Sequence, residues 1–189
     1  MANISNKAVQ MPASAIRKLV PMADAAKKEG VKVYHLNLGQ PDIKSPECAL
    51  NAVKNFSQEN VSYSHSAGLM DLRKGLVEKY YKKIGINISV DELIVTVAGS
   101  ESVNLALEIT CNPGDEVIVL EPFYTNYNTF AFMNGLTLKA IQTDIRNGFQ
   151  IPPIEEFEKA ITDKTKAILV CNPGNPTGTQ YSKESMLAL

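Results

Sequence analysis

Near the end of the sequence, an apolar run leads into a loop rich in proline and glycine, Ala167-Ile168-Leu169-Val170-Cys171-Asn172-Pro173-Gly174-Asn175-Pro176-Thr177-Gly178. Aliphatic residues closed by Pro and Gly are typical of a buried strand that ends in an irregular loop. In open α/β sheets, ligands bind beyond the carboxyl ends of the strands. An asparagine in this loop is therefore a candidate ligand contact, although Asn-Pro steps and glycines also make ordinary turns.

Upstream of this stretch, patterns typical of strands alternate with patterns typical of helices. The predicted strands cover residues 33–38, 93–97, 117–120, 136–141 and 166–171. The predicted helices cover residues 14–30 (kinked or split at Pro21), 46–56, 71–84, 100–110, 125–134 and 154–160, with a short helix after Ser182. Such alternation predicts a three-layer α/β/α fold, in which a mainly parallel sheet carries helices on both faces.

The composition excludes several classes of protein. The chain has 189 residues, 44% of them hydrophobic, and a formal net charge of -1, which is typical of a soluble globular chain. Its basic residues are scattered, so we expect no nucleic-acid partner. The N-terminus lacks the pattern of a signal peptide, and no apolar run approaches the ~18 residues that a membrane span needs. We therefore expect a cytoplasmic protein without membrane contact.

Cysteine and histidine give no indication of a metal site. Cys48, Cys111 and Cys171 are odd in number and form no CxxC pair, which argues against a disulfide framework and against zinc. We expect them to be small core or near-core residues. The two histidines are too isolated for metal-ligand spacing. We expect His65 to be exposed or hydrogen-bonded.

A second candidate ligand contact lies where a predicted strand passes directly into a helix, at Val97-Ala98-Gly99-Ser100-Glu101. A small residue and a glycine at such a junction present free backbone N–H groups and the positive end of a helix to an anion. A phosphate fits there without a basic side chain. The Gly-x-Gly-x-x-Gly pattern of dinucleotide-binding folds is absent, which disfavours a nucleotide-binding domain.

Five segments, in order, resemble the fold-type I enzymes that use pyridoxal 5'-phosphate (PLP), in particular the class I/II aminotransferases. They are Leu36-Asn37-Leu38-Gly39-Gln40-Pro41-Asp42; Tyr63 with Gly68 and Leu72-Arg73; Thr96-Val97-Ala98-Gly99-Ser100-Glu101; Pro113-Gly114-Asp115-Glu116-Val117 leading to Glu121-Pro122-Phe123-Tyr124; and Asn175-Pro176-Thr177-Gly178. The resemblance spans roughly Ser14 to the last residue and is close to the aspartate and aromatic aminotransferase branch. It implies the large domain of that fold, incomplete, and it fixes no amino-acid substrate.

The resemblance also assigns contacts with PLP. Ala98, Gly99 and Ser100 match the positions that hold the PLP phosphate, and we expect the neighbouring Glu101 side chain to point away from that phosphate. Tyr124 matches the ring that stacks on the pyridine, whereas we expect Tyr127 to serve in packing. Asn175 matches the residue that hydrogen-bonds the phenolic oxygen of PLP. A cis bond is expected before Pro176, as turn prolines at ligand sites can be cis.

Two further residues take their assignments from the resemblance. Gly39 matches the position whose backbone meets the carboxylate of the substrate. Tyr63 matches the tyrosine that reaches across a dimer interface to the phosphate of the partner's PLP. The resemblance therefore implies a homodimer in which each site is shared between two subunits, with an amino acid and a 2-oxo acid as substrates.

Catalytic residues of the family are expected downstream of this sequence. The Schiff-base lysine, the aspartate beside the pyridinium nitrogen and the arginine for the substrate carboxylate all follow Asn-Pro-Thr-Gly in the family, and none of their motifs occurs here. We interpret Lys139, Lys164 and Lys166 as solvated. We expect an N-terminal piece of an aminotransferase that is itself inactive, with residues 1–45 forming an arm and part of a small domain and residues 46–189 beginning the PLP-binding large domain.

Two alternatives remain open at this level. A PLP-dependent carbon–sulfur lyase shares these motifs and differs in later residues. A non-catalytic chain that keeps the phosphate-binding turn and the dimer surface for binding or regulation would also carry them. Whether a lysine follows in the native product distinguishes an enzyme from a binding protein.

Overall fold

The computed structural model describes residues 3–12, 14 and 16–189. These residues form two compact units. The first unit takes in the chain up to Tyr34 together with Ser102–Leu189, and the second is His35–Glu101. The boundary that we expect after residue 45, between an arm and a large domain, remains a prediction.

Within the described residues, eight α-helices and three β-strands form. The helices are α1 (Asn6–Gln10), α2 (Val20–Lys28), α3 (Glu47–Lys54), α4 (Met70–Leu76), α5 (Gly99–Thr110), α6 (Asn126–Met133), α7 (Ile154–Ala160) and α8 (Lys183–Ala188). The strands are β1 (Glu116–Glu121), β2 (Thr137–Gln142) and β3 (Thr165–Leu169). Single 3-10 turns cover Arg17–Leu19, Lys82–Ile84, Val90–Glu92 and Ile145–Asn147, and a π-helical turn covers Val77–Tyr81.

The first unit is built on a parallel sheet with the strand order β2-β1-β3. Val117 lies opposite Leu138 of β2 and Ala167 of β3, which sets the register on both sides of the central strand. The β1 residues from Val117 to Leu120 are buried, as the apolar run in the sequence predicts for a central parallel strand.

Two apolar clusters lie on opposite faces of this sheet. On one face, Val117 packs with Leu107 of α5 and Ala131 of α6. On the other face, Ile118 packs with Phe157 of α7 and with Ile141. The helices therefore cover both faces, which confirms the predicted three-layer α/β/α architecture with a mainly parallel sheet, present here in part.

The second unit has helices and turns but no strand among its residues. Helix α4 continues through the π-helical and 3-10 turns and ends at Gly85, which has a φ of 79°. This matches the predicted end of the helix that begins near residue 71. Arg73 is the one buried side chain in this unit, with 3% of its surface exposed.

Two predicted strands are not formed. Residues 33–38 and 93–97 are described as irregular, although both have the apolar pattern of a strand. A strand exists only where a neighbour completes its hydrogen-bond ladder. In the second segment, the Leu93 N–H donates to the Val90 carbonyl at 3.3 Å and the Val95 N–H donates to the Ala67 carbonyl at 3.0 Å, and both bonds join turns and not strands.

The helix predicted over residues 14–30 is divided, as the position of Pro21 implies. A 3-10 turn at Arg17–Leu19 precedes α2, and Pro21 lies in the first turn of that helix, where its missing N–H costs nothing. Ala15 of the predicted helix lies outside the described residues. Over residues 3–12, 14 and 16–189, the helices are too short or too polar to cross a membrane.

Candidate functional site

The loop that follows β3 folds back on itself and presents Asn175. Gly174 N–H donates to the Thr179 carbonyl at 2.8 Å, and Asn172 Oδ1 accepts a hydrogen bond from Tyr181 N–H at 3.0 Å. The Thr179 hydroxyl also donates to the Gly148 carbonyl at 2.7 Å. Asn175 is exposed between these tethered ends, so its amide is available to a ligand.

Local backbone geometry explains the glycine and prolines of this loop. A Cβ at Gly174 would lie 2.7 Å from the Thr177 hydroxyl oxygen, so only glycine fits there without displacement. The Asn172–Pro173 and Asn175–Pro176 bonds are cis, and the second of these was expected from the sequence. The sequence did not predict the cis bond at Glu121–Pro122.

Three aromatic residues that follow the neighbouring strand β1, namely Phe123, Tyr124 and Tyr127, pack together and form an aromatic group. The rings of Tyr124 and Tyr127 meet edge to face, with centroids 5.5 Å apart and planes at 89°. Phe123 stacks on the same Tyr127 ring at 6.2 Å and 13°. Asn126 Nδ2 donates a hydrogen bond to the Tyr124 hydroxyl at 2.7 Å. Tyr124, predicted to stack on a cofactor, is therefore part of an ordered set of rings.

The loop and the aromatic group meet because β1 and β3 are parallel neighbours whose carboxyl ends lie at the same edge of the sheet. A small cleft there is lined by Asn175, Cys171, Phe123, Tyr127 and Tyr181, among others. Its volume of about 20 Å³ holds a group no larger than a water molecule. A planar ring would thus lie against the mouth of this cleft and not inside it.

The two phenols that line the cleft stay neutral. Burial, followed by the interaction with the Cys171 thiol, raises the pKa of Tyr127 to about 12. Burial and Cys171 also raise the pKa of Tyr181 above its ordinary value. The Cys171 thiol itself donates to the Pro173 carbonyl at 3.3 Å. Near neutral pH, both phenols therefore keep their protons.

Sequence reasoning assigned no ligand-site role to Tyr127, Cys171 or Tyr181. Tyr127 does pack, as expected, since it is 8% exposed, but it also lines the cleft. The sequence predicts that the three cysteines lie in or near the core. Cys111 is buried and Cys171 is half-buried, as predicted, but Cys48 is exposed, so the prediction was wrong for Cys48. Cys48 lies on α3 in the second unit, where no apolar cluster exists to receive it. The position of Cys171 directly after a buried strand was the available indication.

The predicted phosphate-binding turn lies in the second unit, at the start of α5. Ala98, Gly99 and Ser100 are exposed, and the side of Gly99 where a Cβ would stand is open, with nothing within 4 Å. The first N–H groups of a helix have no carbonyl of a preceding turn to bind. This turn can therefore accept an anion.

The Glu101 side chain forms a hydrogen bond with the backbone just before its own helix. Its Oε2 accepts a hydrogen bond from Val97 N–H at 2.6 Å, so the carboxylate folds back onto the turn. The physical reason is helix capping, in which an acidic residue in the first turn satisfies an N–H just before the helix. The expectation that this side chain points away from a bound phosphate remains a prediction.

Three other residues of the second unit were singled out in the sequence. Gly39 is exposed, with open space on its Cβ side, and Tyr63 is fully exposed, at 107% of the reference value. His65 is exposed, and its Nδ1 accepts a hydrogen bond from Ala67 N–H at 3.1 Å, as expected for a surface or hydrogen-bonded histidine.

The lysines behave as expected for solvated residues. Lys139 forms an ion pair with Glu116 at 3.7 Å and is 41% exposed, while Lys164 and Lys166 are exposed. None of the three lines the cleft beside Asn175.

Larger cavities lie away from the predicted residues. An apolar one of about 410 Å³ lies between α5 and β3, and another of about 360 Å³ lies against α6 and β2. We assign the site to the small cleft because its lining comes from the carboxyl ends of two neighbouring strands, where ligands of such sheets bind.

Comparison with known proteins gives the family. The family model for aminotransferase class I and II matches residues 31–189. The chain belongs to this aminotransferase family. The aspartate/prephenate aminotransferase of Thermus thermophilus is 34% identical over 190 residues, which cover 100% of this chain and 49% of that protein. The putative aminotransferase YugH of Bacillus subtilis is 36% identical over 185 residues, covering 97% and 47%.

Solved aminotransferase structures agree with the sequence relatives. A Thermus thermophilus aspartate aminotransferase single mutant superposes with a TM-score of 0.91 at 34% identity, over 100% of this chain and 49% of that one. The alanine aminotransferase of Pyrococcus furiosus gives a TM-score of 0.87 at 35% identity, over 98% and 48%. The aminotransferase chain described here thus spans about half the length of the curated relatives it matches.

Proposed function

We propose that this chain supplies the N-terminal half of the PLP site of an aminotransferase, which exchanges the amino group of an amino acid with a 2-oxo acid. The proposal rests on one observation. At the carboxyl edge of the sheet, the Asn175 loop lies beside the aromatic group that contains Tyr124 and Tyr127. Relatives named as aspartate/prephenate and alanine aminotransferases support it.

The residues present fit the chemistry of PLP. The half-buried Tyr124 offers a ring face to a planar heterocycle, and the exposed Asn175 offers an amide donor to its phenolic oxygen. When bound, PLP supplies an electron sink for the bonds at the substrate α-carbon. A hydrogen bond from Asn175 to the ionised phenolic oxygen favours the charged form.

The phosphate and substrate contacts come from the second unit. The exposed N–H groups of Ala98, Gly99 and Ser100 suit a phosphate, and the open backbone at Gly39 suits a substrate carboxylate. The fully exposed Tyr63 suits a residue that reaches a partner subunit. We therefore propose a cytoplasmic homodimer in which Tyr63 of each copy contacts the phosphate bound by the other.

The chain by itself would bind PLP without completing the transfer. The lysine that holds the cofactor covalently belongs, in the pattern of the family, after Asn-Pro-Thr-Gly, and the solvated Lys139, Lys164 and Lys166 do not replace it. The carbon–sulfur lyase alternative draws no support from the relatives described above, which are named as aminotransferases.

Equilibrium dialysis of the chain against PLP and, separately, against NAD tests the proposal. We expect PLP to bind and NAD not to bind. Asn175→Ala should raise the Kd for PLP about tenfold, since it removes a hydrogen bond to a charged oxygen. Asn51→Ala, an equally exposed asparagine on α3, is the matched control and should leave the Kd unchanged.

Either of two results would contradict the proposal. If the wild-type chain binds NAD and PLP equally, the site does not recognise the cofactor. If Asn175→Ala and Asn51→Ala give the same Kd as the wild type, PLP binds elsewhere on the chain.

A further inference from the structure

We propose that Asn126 is a positioning residue that fixes the ring of Tyr124 in the orientation in which it receives the cofactor. The inference rests on the proposed function and assigns a role to a residue for which the sequence motifs gave none. Its starting point is the 2.7 Å hydrogen bond from Asn126 Nδ2 to the Tyr124 hydroxyl.

Two contacts act on the Tyr124 ring, and they restrict different motions. The edge-to-face contact with Tyr127, at 5.5 Å and 89°, restricts the tilt of the ring plane. The hydrogen bond from Asn126 holds the far end of the ring, at the hydroxyl oxygen. The edge contact alone would leave that end free to swing about the χ1 torsion.

Both contacts come from the beginning of one rigid element. Asn126 is the first residue of α6, and Tyr127 is the second. Tyr127 is buried, and Ala131, one turn further along, is 2% exposed in the cluster under the sheet. The orientation of Tyr124 is thereby set by a helix that is itself anchored in the core.

A ring held in this way loses little conformational freedom when a flat ligand stacks on it. Preorganisation of this kind raises affinity by lowering the entropic cost of binding. It also leaves the phenolic proton of Tyr124 free to be donated, because the oxygen already accepts from Asn126. Asn126 therefore acts on the cofactor through Tyr124 and does not need to touch it.

A double-mutant cycle on the 189-residue chain tests this role, with PLP as the ligand. Asn126→Ala and Tyr124→Phe remove the same hydrogen bond from its two ends, while Tyr124→Phe keeps the aromatic face. We expect each to raise the Kd for PLP about three- to tenfold and the double variant to be no weaker than either single one. Asn128→Ala, an exposed asparagine two positions further along α6, is the control and should leave the Kd unchanged.

A spectroscopic readout separates positioning from general loss of stability. At saturating PLP, the circular dichroism of the cofactor absorption band should fall in Asn126→Ala and recover in Asn126→Asp, whose carboxylate accepts from the Tyr124 hydroxyl. A band that is unchanged in Asn126→Ala, or additive effects in the cycle, would overturn the inference while leaving the proposed function intact.

A measurement without cofactor independently tests the hydrogen bond between Asn126 and Tyr124. In the free chain, Tyr124→Phe should shift the NMR signals of the Asn126 side-chain amide and leave those of Asn128 in place. Unchanged Asn126 signals would overturn the inference even if PLP binds. Failure of the wild-type chain to bind PLP would instead overturn the proposed function and, with it, the role of Tyr124.

Discussion

The two units of this chain differ sharply in how they are held together. In the described residues, all the buried apolar side chains belong to the first unit, and those of β1 from Val117 to Val119 are completely buried. The second unit buries a single side chain, Arg73, whose Nε has no hydrogen-bond partner. Many of its apolar residues, such as Leu36 at 96% and Val97 at 94%, are exposed.

The second unit takes its shape from local hydrogen bonds. An Arg73 guanidinium N–H donates to the Val90 carbonyl at 2.6 Å, and Ser89 with Glu92 forms a reciprocal capping box. Hydrogen bonds exchanged against water contribute little net free energy, whereas apolar burial is the main stabilising term in folding. The apolar burial that supplies most of the free energy of folding therefore lies in the first unit.

The largest expected effect tests where that free energy resides. Ile118 of β1 is fully buried and packs against Phe157 of α7. Ile118→Ala leaves a cavity there and should lower the free energy of unfolding by about 2–5 kcal/mol. Leu69→Ala, at a position that is 61% exposed in the second unit, should change it by less than about 0.5 kcal/mol. Urea unfolding followed by far-ultraviolet circular dichroism measures both, and equal losses would show that the second unit has a core of its own.

An intermediate effect is expected from a glycine that shapes the second unit. A Cβ at Gly68 would lie 2.6 Å from the Cβ of Val95, at a backbone φ of 96° that side chains rarely adopt. Gly68→Ala should therefore cost about 1–3 kcal/mol locally and speed exchange of the Val95 amide hydrogen. Gly75→Ala on α4, where nothing lies within 4 Å, is the control and should not speed that exchange. Equal exchange rates of the Val95 amide hydrogen in the two variants would show that the close approach of Gly68 to Val95 does not shape this part of the second unit.

The last prediction concerns Tyr127 in the cleft of the first unit, and its effect is confined to alkaline pH. Tyr127 has a pKa of about 12 in the folded chain against 10.0 as its ordinary value, so the folded state holds a proton that the unfolded state releases. This stabilisation is complete below pH 10 and is lost as the pH rises towards 12. Tyr127→Phe should thus flatten the fall in the free energy of unfolding over that range, measured by urea titrations at several pH values. Parallel curves for the two proteins would refute the raised pKa.

Sequence patterns predicted the first unit well because its signals are local and agree with its packing. The helix predicted over residues 154–160 is α7 itself, and the apolar run before Cys171 is β3 within two residues at each end. The same kind of apolar run at residues 93–97 forms no strand, because a strand depends on neighbours that a local pattern does not specify. The second unit was predicted less well for that reason.

The sequence motifs single out Asn175 and Tyr124 as ligand contacts, and these roles remain predictions. The structure places the Asn175 loop beside the aromatic group that contains Tyr124. Tyr127 and Cys171 follow different strands and line the cleft together because they contact each other. No single segment of sequence contains that contact. The hydrogen bond from the Val97 N–H to Glu101 was not predicted either, although an acidic residue in the first turn of a helix is typical of such capping.

The loop after β3 also fixes its own length. Loops usually accept insertions and deletions because few contacts depend on their spacing. Here Asn172 binds the Tyr181 amide and Gly174 binds the Thr179 carbonyl, so the chain between them forms closed rings with Asn175 inside. One residue added or removed within these rings would break both closures and turn the asparagine away from the sheet. Substitutions that keep the number of residues, at positions other than Asn172, Gly174 and Asn175, should therefore be tolerated better than insertions or deletions.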